Sequence, residues 1–173
     1  MATRDLTVFA VLAAMMFLTR WMMQMIPNVH LLGLFIAATT ICYRTRALIP
    51  LYAWIALEGV FAGFSFWWIP YLYVWLPLWG MFMLAGRTRL PAKIKTPLFM
   101  VLSALHGLSF GLLYAPAQAL MFGFGFRAMI AWIIAGIPFD LMHAASNFAT
   151  GVLIVPLSLL LKRLDSGQMR LGE

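Results

Sequence analysis

The stretch Gly86-Arg-Thr-Arg-Leu-Pro-Ala-Lys-Ile-Lys95 decides the fold, because it places four basic residues between two long apolar runs. Long apolar runs separate this cluster from the other basic clusters, which are Arg4, then Arg44 with Arg46, and finally Lys162, Arg163 and Arg170. A bilayer crossing needs roughly 20 predominantly apolar residues, so each interval has room for two crossings. Lys and Arg mark the cytoplasmic side of short loops. The pattern predicts an all-α polytopic membrane protein with six transmembrane helices and both termini in the cytoplasm.

The composition excludes a soluble globule. Of the 173 residues, 64% are hydrophobic and 10% are charged, and the mean hydropathy is +0.95, which leaves too little polar surface. The net charge of +7 does not predict a nucleic-acid partner, because the basic residues bracket apolar spans. Cys42 is the single cysteine, which excludes an intrachain disulfide. We expect one integral membrane domain, residues 1–173, whose surroundings are the lipid bilayer.

The predicted spans are residues 6–25, 31–43, 47–64, 76–85, 98–120 and 138–161. Residues 66–75, between the third and fourth spans, are the most aromatic segment of the chain, and we expect them at the outer membrane interface. Gly136-Ile-Pro138 predicts a helix break, because proline suits the first turn of a new helix. Residues 127–135 could then form an interfacial segment or lid, or they could be part of a span.

Polar residues within or next to these spans mark candidate function, because burying them in lipid is expensive. Asp140, His143 and Asn147 fall at i, i+3 and i+7, so they share one helical face. Most of the polar set belongs to the outer half of the predicted spans, which predicts a polar, aromatic-walled cavity open to the outside. The candidate ligand-binding residues are Arg20, Gln24, Asn28, His30, Trp67, Tyr71, Gln118, Asp140, His143 and Asn147.

These residues also have structural interpretations. Arg20 could extend to the outer headgroups, and Glu58 could pair with Arg20 or with a histidine. Asp140 could cap the helix that starts after the predicted break. His143 and Asn147 could instead bond neighbouring helices. The sequence leaves these alternatives open.

Small residues predict close helix contacts at two places. Ala10, Ala13 and Ala14 form a smooth stripe with an Ala-xxx-Ala pair on the first span, and Gly107 with Gly111 have the small-xxx-small spacing on the fifth. We interpret the glycine pair as structural. The alanine stripe gives a smooth surface on which another helix can lie.

Taken together, the six short spans, the cytoplasmic termini, the outward cavity and the Ala-xxx-Ala stripe resemble the substrate-binding S component of energy-coupling factor (ECF) transporters. Ile26-Pro-Asn-Val-His30 is similar to a proline-containing turn in one branch of that family. Asp140-Leu-Met-His143-Ala-Ala-Ser-Asn147 is similar to an Asp-x-x-basic-Ala-x-x-Asn pattern of its cobalamin-specific members, with His143 where arginine is more usual.

The resemblance implies a vitamin receptor of the bacterial plasma membrane that is not itself an enzyme. Its expected ligand is cobalamin, and pantothenate, thiamine and riboflavin are the alternatives. Ala10, Ala13 and Ala14 would dock the transmembrane T component, which is coupled to two ATPases. The chain would need no cofactor, since the partner ATPases bind ATP.

A second functional class remains open. The sequence has no His-Glu-x-x-His and no glycine-rich phosphate loop. His106, Asp140 and His143, with Glu58, could nevertheless hold a divalent metal, as in an intramembrane metalloenzyme or a metal permease. A histidine ligand also needs an oriented second ring nitrogen, which a sequence cannot show.

Overall fold

The computed structural model describes residues 3–26 and 29–166, and they contain helices, turns and no strand. This confirms the all-α prediction for the described part of the chain. Asn28 and the predicted turn at Pro27 lie outside the described residues. The helices are α1 (Thr3–Met22), α2 (Leu32–Tyr43), α3 (Leu48–Ala62), α4 (Tyr71–Val74), α5 (Leu76–Ala85), α6 (Ala92–Phe122), α7 (Phe126–Gly151) and α8 (Ile154–Asp165).

Four helical stretches in the described chain are long and apolar enough to cross a membrane. They are Thr3–Met22, Leu32–Ala62, Ala92–Phe122 and Phe126–Gly151, and Tyr71–Ala85 is a shorter apolar helix. Large apolar side chains such as Leu18, Leu112 and Ile134 are exposed on these helices, as lipid-facing side chains are. These lengths and compositions agree with the prediction of a membrane protein.

The Leu32–Ala62 stretch reverses its direction at Arg44. This residue has a φ of 59°, which is uncommon for a residue with a side chain, and a 3₁₀ turn (Arg44–Ala47) follows it. Trp75 contacts both His30, just before α2, and Trp54 in α3, with ring centroids 6.0 and 5.5 Å apart. A straight helix would separate His30 and Trp54 by about 36 Å. The stretch is therefore a helical hairpin, as the basic pair at 44 and 46 predicted.

Basic residues from distant parts of the sequence lie at one end of the helix bundle. Arg4 donates a hydrogen bond to the Leu164 carbonyl, and Arg46 pairs with Asp5. Lys95 and Lys162 line one small cavity of about 80 Å³. We call this the basic end. The start of α1 and the end of α8 meet there.

The helices α6 and α7 approach closely along their length. A Cβ atom on Gly107 would lie 2.8 Å from the backbone nitrogen of Ala144, and one on Gly151 would lie 2.8 Å from the Cα of Met100. Only glycine permits these backbone distances. The structural interpretation of Gly107 is confirmed.

The predicted break at residues 136–138 is wrong. Helix α7 continues through Pro138 from Phe126 to Gly151, so residues 127–135 are part of a long helix and form no separate lid. The last span does not extend from 138 to 161, because the break falls after Gly151 and α8 follows. Proline removes one donor, and neighbouring helices compensate for such losses inside membrane helices.

The aromatic segment 66–75 does not lie wholly at an interface. Phe66 and Ile69 are exposed, whereas Val74 and Trp75 are buried, with Trp75 only 1% exposed. The Trp75 ring packs against His106 and Phe110 in α6. The short helix α4 carries this part of the segment into the core, where it forms one wall of the candidate site.

Candidate functional site

Two adjoining cavities lie at the end of the bundle opposite the basic end. Their volumes are about 170 and 480 Å³, and Arg20, Tyr71 and Phe110 line both. The smaller cavity is also lined by Met23, Gln24, Ile26, Val29, His30, Trp75 and His143. The larger one is also lined by Trp67, Gly111, Tyr114, Trp132, Gly136, Phe139 and Asp140. Seven of the ten candidate binding residues therefore meet at these cavities.

Arg20 is held between the two cavities by a buried carboxylate. Its Nη1 lies 3.2 Å from Oε2 of Glu58, which is fully buried. The indole nitrogen of Trp54 donates to the other carboxylate oxygen of Glu58 at 3.0 Å. The structure thus selects the Arg20 pairing among the interpretations of Glu58. The charge that Arg20 brings to the cavities is balanced within the protein.

The three histidines of the chain cluster beside the smaller cavity. The ring of His143 lies 4.7 Å from that of His30 and 6.4 Å from that of His106, measured between centroids. His106 Nε2 lies 2.8 Å from the Val74 carbonyl and donates to it when protonated there. His143 is 2% exposed, and neither of its ring nitrogens has a hydrogen-bond partner among the described residues.

His30 contributes no positive charge to this cluster at neutral pH. It lies in the loop before α2, where burial, and secondarily the positive charge of Arg20, lower its pKa to about 4. A neutral imidazole can therefore remain beside the Arg20 guanidinium without like-charge repulsion.

The histidine cluster does not form a metal site in the described chain. Within residues 3–26 and 29–166, no three His, Cys, Asp or Glu side chains are grouped so that they could hold a metal ion. Glu58 faces Arg20 and Asp140 faces the backbone of Gly111, while His106 faces Val74. Glu58, Asp140 and His106, three of the four side chains named for a metal site, thus have separate protein neighbours, and the geometry does not favour the metal-dependent alternative.

Asp140 lies in the wall of the larger cavity and is 8% exposed. Its two carboxylate oxygens accept from the backbone N–H of Gly111, at 3.0 and 3.1 Å. A Cβ atom on Gly111 would lie 2.4 Å from Oδ2 of Asp140, so the missing side chain is what admits the carboxylate. Asp140 lies in the middle of α7, which excludes the helix-capping interpretation.

Aromatic side chains form most of the larger cavity. The Tyr114 hydroxyl donates to the Trp67 carbonyl at 2.6 Å, and the Tyr73 hydroxyl donates to the Leu113 carbonyl at 2.8 Å. These bonds tie the aromatic segment to α6. The rings of Tyr114 and Trp132 are nearly parallel, at 15°, with centroids 6.1 Å apart. The sequence did not single out Phe110, Tyr114 or Trp132, because aromatic residues in apolar helices are most often core packing.

Three candidate binding residues are not placed at the cavities. Asn147 is buried, donates to the Ser103 carbonyl at 3.2 Å and packs against Gly33, so it connects helices. Gln118 lines neither cavity. Asn28 lies in the part of the chain that the structure leaves undescribed.

The alanine stripe on α1 is only partly accessible. Ala10 is exposed and Ala14 is partly buried. Ala13 is 2% exposed and belongs to the hydrophobic core. Ala13 is therefore not available to a partner, and the accessible face of the stripe consists of Ala10 and Ala14.

No family model, curated protein or solved structure matches the chain.

Proposed function

We propose that this chain is a membrane-embedded receptor for a small organic molecule, and specifically the S component of an ECF vitamin transporter. The observation that supports it best is His143, a buried side chain with two unpartnered ring nitrogens in the wall of a cavity. An unsatisfied buried polar group costs about 1 to 3 kcal/mol. A ligand that bonds to His143 would remove that cost.

The arrangement of charge supports binding from outside. The cavities lie at the end of the bundle opposite Arg4, Arg46, Lys95 and Lys162. Because basic residues favour the cytoplasmic side, we infer that both termini are cytoplasmic and that six helical segments cross the bilayer. The cavities would then open outward, where a vitamin arrives at a bacterial plasma membrane.

The cavity volumes suit a ligand of moderate size. Pockets for drug-sized ligands measure roughly 300 to 1,000 Å³, and the larger cavity of about 480 Å³ falls in that range. Thiamine, riboflavin and pantothenate are ligands of this scale. Cobalamin, which the last-helix pattern favours, is much larger and would require residues 64–75 to move away from α6.

Docking to the T component would use the end of α1 that lies away from the cavities. Ala10 and Ala14 lie toward the basic end, away from Arg20 and the cavities. A small-residue face lets another helix approach closely, so we propose that the T component docks there. Transport energy would come from the two ATPases of the complex, and this chain would have no catalytic role.

The test is to purify the protein from cells, identify any co-purified molecule by absorbance and mass spectrometry, and titrate the ligand-free protein with the four vitamins. We expect one of them to bind and His143→Phe, which removes both nitrogens and retains a ring, to weaken it roughly 5- to 150-fold. Met142→Ala is the control, because Met142 is exposed and lines neither cavity. Absence of any bound molecule and of binding to all four vitamins would refute the receptor proposal.

A further inference from the structure

The carboxylate of Asp140 is a buried negative charge without a cationic partner. The ion pairs in the described chain join Arg20 to Glu58 and Arg46 to Asp5, and the hydrogen-bond donor to Asp140 is the neutral N–H of Gly111. A buried carboxylate is costly unless it is paired as well as hydrogen-bonded. Since Asp140 lines the larger cavity, a cation in that cavity would provide the missing partner.

The other walls of the larger cavity also attract cations. Aromatic rings from Trp67, Tyr71, Phe110, Tyr114 and Trp132 line it. The face of an aromatic ring carries partial negative charge and binds ammonium-type cations, with tryptophan the strongest. A carboxylate enclosed by aromatic rings is the combination that recognises an organic cation in preference to a hydrated metal ion.

The positive groups near the cavity do not cancel this preference. Arg20 lines the cavity, but Glu58 balances its charge at 3.2 Å. His30 lies beside the adjoining cavity and is neutral at pH 7, because its pKa is lowered to about 4. Arg20 and Glu58 together count as a neutral pair. The negative charge of Asp140 at the larger cavity is then not balanced by Arg20.

We propose that the larger cavity selects an organic cation with a heteroaromatic or quaternary ammonium group, held between Asp140 and the aromatic walls. This inference rests on the proposed receptor function and narrows its ligand class. Among the vitamins considered above, it favours thiamine, whose thiazolium ring carries a fixed positive charge. It disfavours riboflavin, which is neutral, and pantothenate, which is an anion.

The experiment titrates the full chain, purified in detergent and freed of bound ligand, with thiamine, choline, riboflavin, pantothenate and cyanocobalamin by calorimetry. We expect binding of thiamine, of choline or of both, and no tighter binding of the other three compounds. Asp140→Asn retains the shape and an acceptor oxygen for the Gly111 N–H but removes the charge. It should weaken cation binding roughly 10- to 100-fold.

Matched variants separate this charge effect from loss of fold. Asp165→Asn removes an exposed carboxylate at the basic end and should leave cation affinity unchanged. Trp132→Leu removes one aromatic wall without changing the buried carboxylate, and it should weaken cation binding about 2- to 30-fold. Trp132→Phe should restore part of that loss. If Asp140→Asn fails to fold, the two variants Trp132→Leu and Trp132→Phe provide the test.

Several results would overturn the inference. One is cation affinity that is unchanged in folded Asp140→Asn or, if that variant does not fold, in both Trp132 variants. Another is tighter binding of riboflavin, pantothenate or cyanocobalamin than of either cation. That second result would leave the receptor proposal standing and remove only the ligand class. Failure of all five compounds to bind, with no co-purified molecule, would remove both.

Discussion

At the scale of single residues, the missing side chain of Gly111 lets the Asp140 carboxylate occupy its place in the site. Gly111 and Gly107 lie one turn apart on α6, yet they accommodate different neighbours. Gly107 faces the backbone of α7 at Ala144, whereas Gly111 faces the carboxylate of Asp140. The same sequence spacing thus serves helix packing at one position and the candidate binding site at the next.

Gly111→Ala should impair ligand binding through Asp140. The added Cβ would lie 2.4 Å from Oδ2, so the carboxylate must leave its position against the Gly111 N–H. We expect a loss of affinity of roughly 10-fold or more, comparable to losing a hydrogen bond to a charged group. Calorimetry on the ligand identified by co-purification measures this effect.

Gly80→Ala is the matched control for that substitution. Gly80 lies in helix α5, and a Cβ atom there would have no neighbour within 4 Å. The change should leave affinity unaltered and should raise thermal stability slightly, because alanine is the better helix former by about 1 kcal/mol. Equal affinity in wild type and Gly111→Ala would show that the position of Asp140 does not matter to the ligand.

At the scale of helices, Pro138 was a poor indicator of where the chain breaks, because a proline within a helix need not end it. Pro97 and Pro116 lie within α6, and Pro138 lies within α7. The two helices pack against each other closely enough that single missing donors do not end them. The break after α7 occurs at Val152–Leu153, and Pro156 follows it in the first turn of α8, where a proline is tolerated.

If the proposed function is right, the accessible alanine face of α1 should be required for partner docking but not for ligand binding. Replacing both Ala10 and Ala14 with tryptophan adds bulk where a partner helix must approach closely. We expect the double variant to lose vitamin uptake and pull-down of the T component. The isolated protein should retain its ligand affinity, because the cavities lie near the other end of α1.

The control for this variant replaces Val11 and Met15 with tryptophan. Both side chains are exposed on α1, one residue further along the helix than Ala10 and Ala14 and therefore on an adjacent face. Uptake should persist in the control. Normal uptake by the Ala10 and Ala14 double variant would mean that the partner binds elsewhere.

At the scale of the whole molecule, the separation of charge from cavity predicts how the protein sits in the membrane. We expect Ser65 to face outside and Ser166 to face the cytoplasm, since both are exposed and they lie at opposite ends of the bundle. Cysteine placed at each position in a Cys42→Ser background should react with an impermeant thiol reagent from opposite sides. Labelling of both from outside in intact cells would contradict this topology.

The amino-acid sequence by itself determined the helical class, the bounds of some helices and the turn at Arg44 and Arg46. These properties depend on composition and on spacing along the chain, which hydropathy and charge express directly. For the same reason, the second and fourth predicted spans, 31–43 and 76–85, agree with α2 and α5 to within one residue. The positions of Arg44 and Arg46 likewise indicated a turn before its geometry was known.

Only the tertiary structure decided which side chains meet. Asp140, His143 and Asn147 share one face of α7, but the first two reach cavities while Asn147 bonds to Ser103. Glu58 joins Arg20 from another helix, and Ala13 turns into the core while Ala10 remains exposed. Such outcomes depend on the rotation and depth of each helix against its neighbours. Hydropathy carries little information about either, because lipid and protein interior are similarly apolar.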